Sequence, residues 1–375
     1  MSYYGISESA CEWFHSFLTE RCQYVDIEDD QGNHKESQLK SITRGCPQGS
    51  ILSPLMFILY TADLPTNLSN CKIHLYADDT QLYHSFKHNL TDTAVQHINE
   101  DLDKIYAWAK RNALVLNPTK SKYMILGTKR QCEQISEHSP CIKINKEMVE
   151  RVKTARNLGL LIDEEMRFEE HINSKIRTAF FRLKILYGIR KFLKEDIRVI
   201  LIESLVLSIF NYCDTVYGPR LFDKTSRAIQ RVQNACTRFC FGIPKRSHIT
   251  PYLNENQILK MEGRRLLHLA GLIYKVVHIG RPRYLHDKIK WLGNAHNIFT
   301  RSKLSRRMEI PKHKTANFKG SFKYAASKIW NDLPPPLHEF MSYLSFKIKL
   351  KKILLEKQLS ASKEIYKHKH KNKSA

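Results

Sequence analysis

Two aspartates stand side by side, Asp78 and Asp79, within the run Ile73-His74-Leu75-Tyr76-Ala77-Asp78-Asp79-Thr80-Gln81-Leu82-Tyr83. Strand-forming, apolar-rich residues flank them on both sides, which predicts a β-hairpin with acid at its tip. Adjacent carboxylates repel each other and are costly to hold together unless a cation neutralises them. Their oxygens suit Mg²⁺, which is usually held by one or two carboxylates together with substrate phosphates. The pattern predicts a seat for a nucleotidyl-transfer metal. A solvated turn is the plainer reading of the same residues, because Asp is also a common turn former.

A second run stands upstream: Arg44-Gly45-Cys46-Pro47-Gln48-Gly49-Ser50-Ile51-Leu52-Ser53-Pro54-Leu55. Gly45 and Gly49 would let backbone pass close to a ligand without side-chain bulk. Cys46 has no nearby histidine base and reads as a small packing residue. Together, the Pro-Gln-Gly run and the Ala-Asp-Asp run resemble the reverse transcriptase family, and more closely the enzymes of non-LTR (LINE-type, jockey-like) retrotransposons. The resemblance implies that Asp78 and Asp79 hold catalytic Mg²⁺ or Mn²⁺, two ions in a complete enzyme. It implies that Arg44, Gly45, Pro47, Gln48 and Gly49 lie beside template and incoming nucleotide. In Leu116-Asn117-Pro118-Thr119-Lys120-Ser121, Lys120 matches a lysine near the nucleotide phosphates, with Lys122 the alternative. The run Asn157-Leu158-Gly159-Leu160 resembles the hairpin that supports the primer end, with Leu158 and Gly159 at its turn. For each of these a bland reading stands beside the functional one: a solvated loop lysine, an edge hairpin.

The chain has 375 residues and a net charge of +24. Residues 1–130 hold 13 Lys/Arg against 15 Asp/Glu, whereas residues 301–375 hold 19 against 5. The segment with the expected metal site is thus slightly acidic and the rest is basic. A basic surface of this kind suits a polyanion; a solubilising face is the alternative. Nine cysteines without a Cys-x-x-Cys pair argue against a zinc ribbon or a disulfide scaffold and for reduced thiols. That places the protein inside the cell, in the nucleus and/or cytoplasm. No apolar run is long enough to span a bilayer.

The elements that must position these residues follow from periodicity. Ser7–Leu18 reads as a helix capped by Ser7, with Trp13, Phe14 and Phe17 on one stripe. Gln23–Ile27 and Leu39–Thr43 read as paired strands. Ser53-Pro54 reads as a helix start, Ser as cap and Pro in the first turn. Thr91–Ala113 carries Val95, Ile98, Leu102, Ile105, Tyr106 and Ala109 at helical spacing and should cover one face of a sheet. Strands follow at Tyr123–Leu126, Cys141–Ile144 and Arg151–Ile162. Beyond His171 the pattern turns helical: Ile172–Phe192, Ile197–Phe210, Thr225–Phe241, Glu262–Ile279 and Ser345–Leu355. The Trp330-Asn331-Asp332-Leu333-Pro334 block reads as packing.

The expected fold is α+β: a partial polymerase palm with a short antiparallel sheet and covering helices, then a mainly helical thumb and C-terminal region. The expected spans are 1–165 for the palm, 166–300 for the thumb-like region, 301–366 for a basic C-terminal region and 367–375 for a disordered tail. The resemblance implies a further aspartate on a strand ahead of Ser7–Leu18. On that expectation the chain is N-terminally truncated, residues 1–165 alone dissolve poorly, and the chain extends a primer little or not at all. The partners implied are an RNA template, a DNA primer and deoxynucleoside triphosphates. A non-catalytic remnant that binds RNA or an RNA–DNA hybrid, and an inert remnant, are the alternatives.

Overall fold

The computed structural model describes residues 5–137, 140–292 and 307–371. The chain divides into two compact units: residues 1–123 with 133–151, and residues 124–132 with 152–375. Helix and short strands are mixed, as expected for α+β, but no single sheet forms. The described strands make six two-stranded pieces, of which β7–β10 is parallel. Most strands are only two to five residues long, too short to build a wide sheet.

In the first unit, α1 (Glu8–Leu18) buries none of its residues. Ser7 stands at its cap position without accepting a hydrogen bond from the helix. Strands β1 (Arg21–Gln23) and β4 (Lys40–Ile42) pair, as do β2 (Asp26–Glu28) and β3 (His34–Glu36). No described residue before Met56 is buried. Then come α2 (Ser53–Tyr60), the hairpin β5 (Lys72–Tyr76) and β6 (Asp79–Tyr83), and the long α3 (Thr91–Arg111). Strand β7 (Lys122–Tyr123) replaces the longer strand expected at Tyr123–Leu126. Helix α4 (Lys129–Glu137) and strands β8 (Lys143–Ile144), β9 (Glu147–Met148) and β10 (Glu150–Arg151) follow.

Helix α3 has two apolar flanks, where one was expected. Ile105, Trp108 and Ala109 pack with Leu64, Ile73, Leu75 and Leu82. Val95, Ile98 and Tyr106 pack with Ile142, Ile144 and Val149. A helix apolar over so wide an arc is a spine inside its unit.

The second unit opens with the hairpin β11 (Thr154–Asn157) and β12 (Leu160–Asp163). The division between the units falls after Arg151, so this hairpin groups with the helices that follow. They are α5 (Glu169–Ile189), α6 (Glu195–Leu201), α7 (Asp214–Tyr217), α8 (Asp223–Phe241), α9 (Thr250–Glu255), α10 (Met261–Ile279), α11 (Arg283–His286), α12 (Ala316–Lys319), α13 (Phe322–Asp332) and α14 (Tyr343–Lys371). The single helix expected at Ile197–Phe210 is broken: α6 passes into a π turn at Ile202–Val206 and a 3₁₀ turn at Leu207–Phe210. Glu203 in the π turn takes Arg264 bidentately at 2.8 and 2.7 Å. No single described helix is long and apolar enough to cross a membrane.

Phe168, Ile172, Leu183, Phe210, Ile229 and Phe239 form one core between α5 and α8. A second core lies on the other side of α10, with Trp330 and Phe346. The Trp-Asn block now has a mechanism. Trp330 is fully buried and stacks on His338. The Asn331 amide accepts from Met308 N–H and donates to Met308 C=O, both at 2.9 Å, as a strand partner would. The last helix runs to Lys371, into the segment expected as a tail. Residues 293–306 of the expected thumb-like and C-terminal spans, and 372–375 of the tail, lie outside the described residues.

Candidate active site

The Asp pair sits where expected, at a hairpin tip. Tyr76 and Asp79 are the last paired residues, so the turn is Ala77-Asp78. A two-residue connection needs positive φ in its turn to match the twist of the strands. Ala77 supplies it at φ 50°, although a Cβ there costs about 1–2 kcal/mol relative to glycine. Directly opposed residues share a face. Ile73, Leu75 and Leu82 pack inward with Trp108. Asp79 therefore lies on the outer face with Tyr76, His74 and Gln81. His74 stacks on Tyr83 there and hydrogen-bonds its hydroxyl at 3.2 Å. Asp78 and Asp79 are both exposed, and neither carboxylate has a hydrogen-bond or ion-pair partner among the described residues. Four carboxylate oxygens at one turn thus stay open toward solvent. Among the described residues no group of three or more His, Cys, Asp or Glu gathers as a metal cage.

The base of the hairpin is fixed by a residue the sequence reading passed over. Asp101, on α3, is fully buried. Its carboxylate accepts the backbone N–H groups of Ser69, Asn70 and Cys71 at 3.1, 2.8 and 2.7 Å, just ahead of β5. Lys104 joins it at 3.0 Å and also reaches Ser69 Oγ at 2.8 Å. Burial pushes the Asp101 carboxyl up, but these donors outweigh it and hold its pKa well below the usual carboxylate range. On the exit side His84 Nδ1 meets Asn70 O at 3.0 Å. A signal was present in the sequence: Asp101 stands on the same stripe as Ala94, Ile105 and Trp108, where an acid must find partners.

The Pro-Gln-Gly run forms a buckled loop. Gly45 and Gly49 have φ of 77° and 83°, and an added Cβ would meet nothing within 4 Å at either. They are needed for conformation here, not for close packing. Arg21 holds Gly45 O at 2.5 Å. Ser53 was expected to cap α2; it lies inside the helix, with Leu52 at the cap. Its hydroxyl instead meets Pro47 O at 2.7 Å and Ser50 Oγ at 2.6 Å. The loop's own carbonyl outcompetes the helix end for that hydroxyl. Arg44, Gly45, Gln48 and Gly49 are exposed and Pro47 is half-buried. Cys46 lies against Met56, with sulfurs 3.6 Å apart, consistent with a packing thiol.

Helix α3 is the common anchor. Tyr60 of α2 donates to Asn112 O at 2.5 Å, and Trp108 Nε1 donates to Asp63 at 3.1 Å. Leu116, ahead of Lys120, packs with residues of α3 as well. The Lys120 loop is shaped by Asn117, whose side chain accepts from Thr119 Oγ1 at 2.6 Å and Lys120 N–H at 3.2 Å. Lys120 is exposed, and its ammonium has no ion-pair partner among the described residues. Lys122, the alternative, is engaged by Glu150. No hydrogen bond, ion pair or ring contact among the described residues joins the Asp tip to Gln48, Gly49 or Lys120.

In the second unit Leu158 and Gly159 form the two-residue turn of β11–β12, both with positive φ, 45° and 79°. Tyr212 braces that turn, donating to Leu158 O at 2.5 Å, with its ring 3.4 Å from where a Gly159 Cβ would stand. Buried His171 accepts the Leu161 N–H at Nδ1, 3.2 Å away. Burial pushes its pKa down to about 4, helped by Lys175 and Arg156, so the ring is neutral near pH 7.

Residues 3–162 match the family described as Reverse transcriptase (RNA-dependent DNA polymerase). The chain is 26% identical over 213 residues to the RNA-directed DNA polymerase from mobile element jockey of Drosophila melanogaster, covering 54% of this chain and 22% of that protein. It is 30% identical over 150 residues to the probable RNA-directed DNA polymerase from transposon BS of the same species, covering 37% and 16%. It is 25% identical over 207 residues to a Pol polyprotein from type-1 retrotransposable element R1 2 of Nasonia vitripennis, covering 52% and 50%. The chain thus spans about a fifth of the length of the jockey protein. No solved structure matches it. Residues 3–162 are thus similar to the reverse transcriptase family, a family of nucleotidyltransferases, and the relatives they match are RNA-directed DNA polymerases of mobile elements.

Proposed function

We propose that this chain is the part of an RNA-directed DNA polymerase that carries the Asp78–Asp79 metal seat, the nucleotide-pocket loop and a basic nucleic-acid-binding helical region. The observation that carries the reading is the exposed, unpaired carboxylate pair at a two-residue hairpin tip inside a reverse transcriptase domain. In this reading residues 1–165 are a partial palm and the helices after them a thumb. The substrates are an RNA template, a DNA primer and deoxynucleoside triphosphates.

In the reaction the primer 3′-hydroxyl oxygen forms a bond to the α-phosphorus. The bond from that phosphorus to the pyrophosphate oxygen breaks, and the hydroxyl loses its proton. Asp78 and Asp79 fit Mg²⁺ or Mn²⁺ because their oxygens are open and anionic. Bound there, a divalent ion would lower the hydroxyl's pKa and neutralise charge building on the phosphates. Asp78 and Asp79 hold and orient that charge at the tip. Gln48 and Gly49, with Arg44, Gly45 and Pro47, shape the template and nucleotide pocket. Lys120 brings its unpaired ammonium to the leaving pyrophosphate, as donor or counter-charge. Leu158 and Gly159 support the primer end, braced by Tyr212. We place the protein inside the cell, nuclear or cytoplasmic, in keeping with its nine free thiols.

A second reading, binding without chemistry, is favoured by one observation: no third ligand joins the Asp pair among the described residues. The basic helices supply a surface for it. On α5 and the turn that follows, Arg177, Phe181, Lys184, Ile185 and Phe192 are all exposed. Cations interleaved with aromatic rings suit phosphates and bases.

The two readings are separated by primer extension on a primed RNA template with Mg²⁺ or Mn²⁺, beside a binding assay. We expect salt-sensitive binding and little extension. Robust extension abolished by Asp78→Ala would establish catalysis by this chain and overturn the expectation of weak activity. Absence of salt-dependent binding would sink both readings.

A further inference from the structure

We infer that Asp101 is the positioning residue of the Asp78–Asp79 tip: it stakes the base of the hairpin to α3 so that a free tip keeps one place. The inference deepens the metal-seat reading and rests on it for its functional meaning.

The argument is geometric. The hairpin touches α3 in two ways. Its inner face packs on Ile105 and Trp108, a contact that tolerates sliding because apolar packing is non-directional. Its base is held by three consecutive backbone N–H groups converging on one buried carboxylate. Those bonds are directional and charge-assisted, and they fix where β5 begins. Asn70 ties both sides of the base, N–H to Asp101 and C=O to His84, directly after Tyr83. From Lys72 to Tyr76 the strand is five residues, about 17 Å at ordinary strand rise. The acids stand at the far end, where nothing described grips them. A small rotation at the base is therefore carried out to the tip as a larger displacement. Sub-ångström placement of reacting groups governs rate, so the clamp, not the tip itself, sets that placement.

The test uses the full chain and three variants. Asp101→Asn removes the charge and half of the acceptors. Val149→Ala, in the core on the other flank of α3, destabilises the same unit without touching the clamp. The double change of Asp78→Asn with Asp79→Asn marks the seat. Hydrogen exchange of the His74–Gln81 and Tyr76–Asp79 rungs, the hydrogen-bonded pairs of the hairpin, is measured at equal distance below each variant's melting temperature. We expect exchange about tenfold faster in Asp101→Asn than in Val149→Ala, with weaker Mn²⁺ binding by water-proton relaxation in the former only. Equal exchange in the two variants at matched stability would overturn the inference. If Asp101→Asn does not fold, Asp101→Ser, which keeps an uncharged acceptor, makes the same comparison. Mn²⁺ binding that ignores the double Asn change would sink the metal reading alone, and the exchange comparison would still decide the clamp.

Discussion

At the scale of single residues, the site is made by backbone conformation as much as by chemistry. Ala77 holds a left-handed φ that glycine would adopt without strain. Ala77→Gly should therefore raise the stability of the first unit, by up to about 1 kcal/mol, less what glycine's extra unfolded-state freedom takes back. Urea unfolding checks this; a clear loss of stability would mean the turn is not strained. His171 gives a pH signature. Its folded pKa, about 4, lies below its unfolded value near 6.5. The folded state resists protonation, so its contribution is whole above 6.5 and is lost as pH falls from 6.5 toward 4. The melting temperature of the second unit should drop across that window. His171→Gln, which keeps an acceptor for Leu161 N–H, should flatten the drop; an unchanged profile would assign the pH dependence to other groups.

At the scale of elements, α3 carries the first unit. The Asp hairpin, α2 with its loop, and the approach to Lys120 are each tied to it. Trp108 serves two of them, through its ring and its indole N–H. Trp108→Ala should cost about 3–5 kcal/mol and loosen hairpin and loop together, seen as one cooperative loss in near-UV circular dichroism. Selective loss of only one would contradict a shared anchor. Most of this was legible in the periodicity: the 73–83 hairpin, the α3 stripe, and helices ending near Gly242 and Gly280. What was illegible depends on contacts distant in sequence. The stripe places Asp101 among apolar residues, but nothing local says that its partners are Ser69, Asn70 and Cys71. Ser53 reads as a cap until the Pro47 carbonyl competes for it. The break at Ile202–Val206 accompanies the Glu203–Arg264 pair, which no local pattern announces.

At the scale of the whole molecule, charge and burial are both unevenly spread. Acids balance bases over residues 1–130, and the excess cations lie beyond. If those cations meet phosphates, raising salt from 50 to 200 mM should weaken nucleic-acid binding by at least about tenfold. Fluorescence anisotropy with an RNA–DNA hybrid measures it, and an affinity indifferent to salt would rule out a phosphate footprint. Burial is the other asymmetry. Lys35, Lys40 and Arg44 are exposed in a stretch that contributes nothing to any interior. Trypsin should find those bonds first, because segments without buried contacts open at almost no free-energy cost. A nick at Arg44 would part the Gly45 carbonyl's neighbourhood from Arg21, yet leave the acids mounted on their helix. Brief digestion thus offers a way to cut the Pro-Gln-Gly loop free from its tether while the Asp78–Asp79 hairpin stays in place.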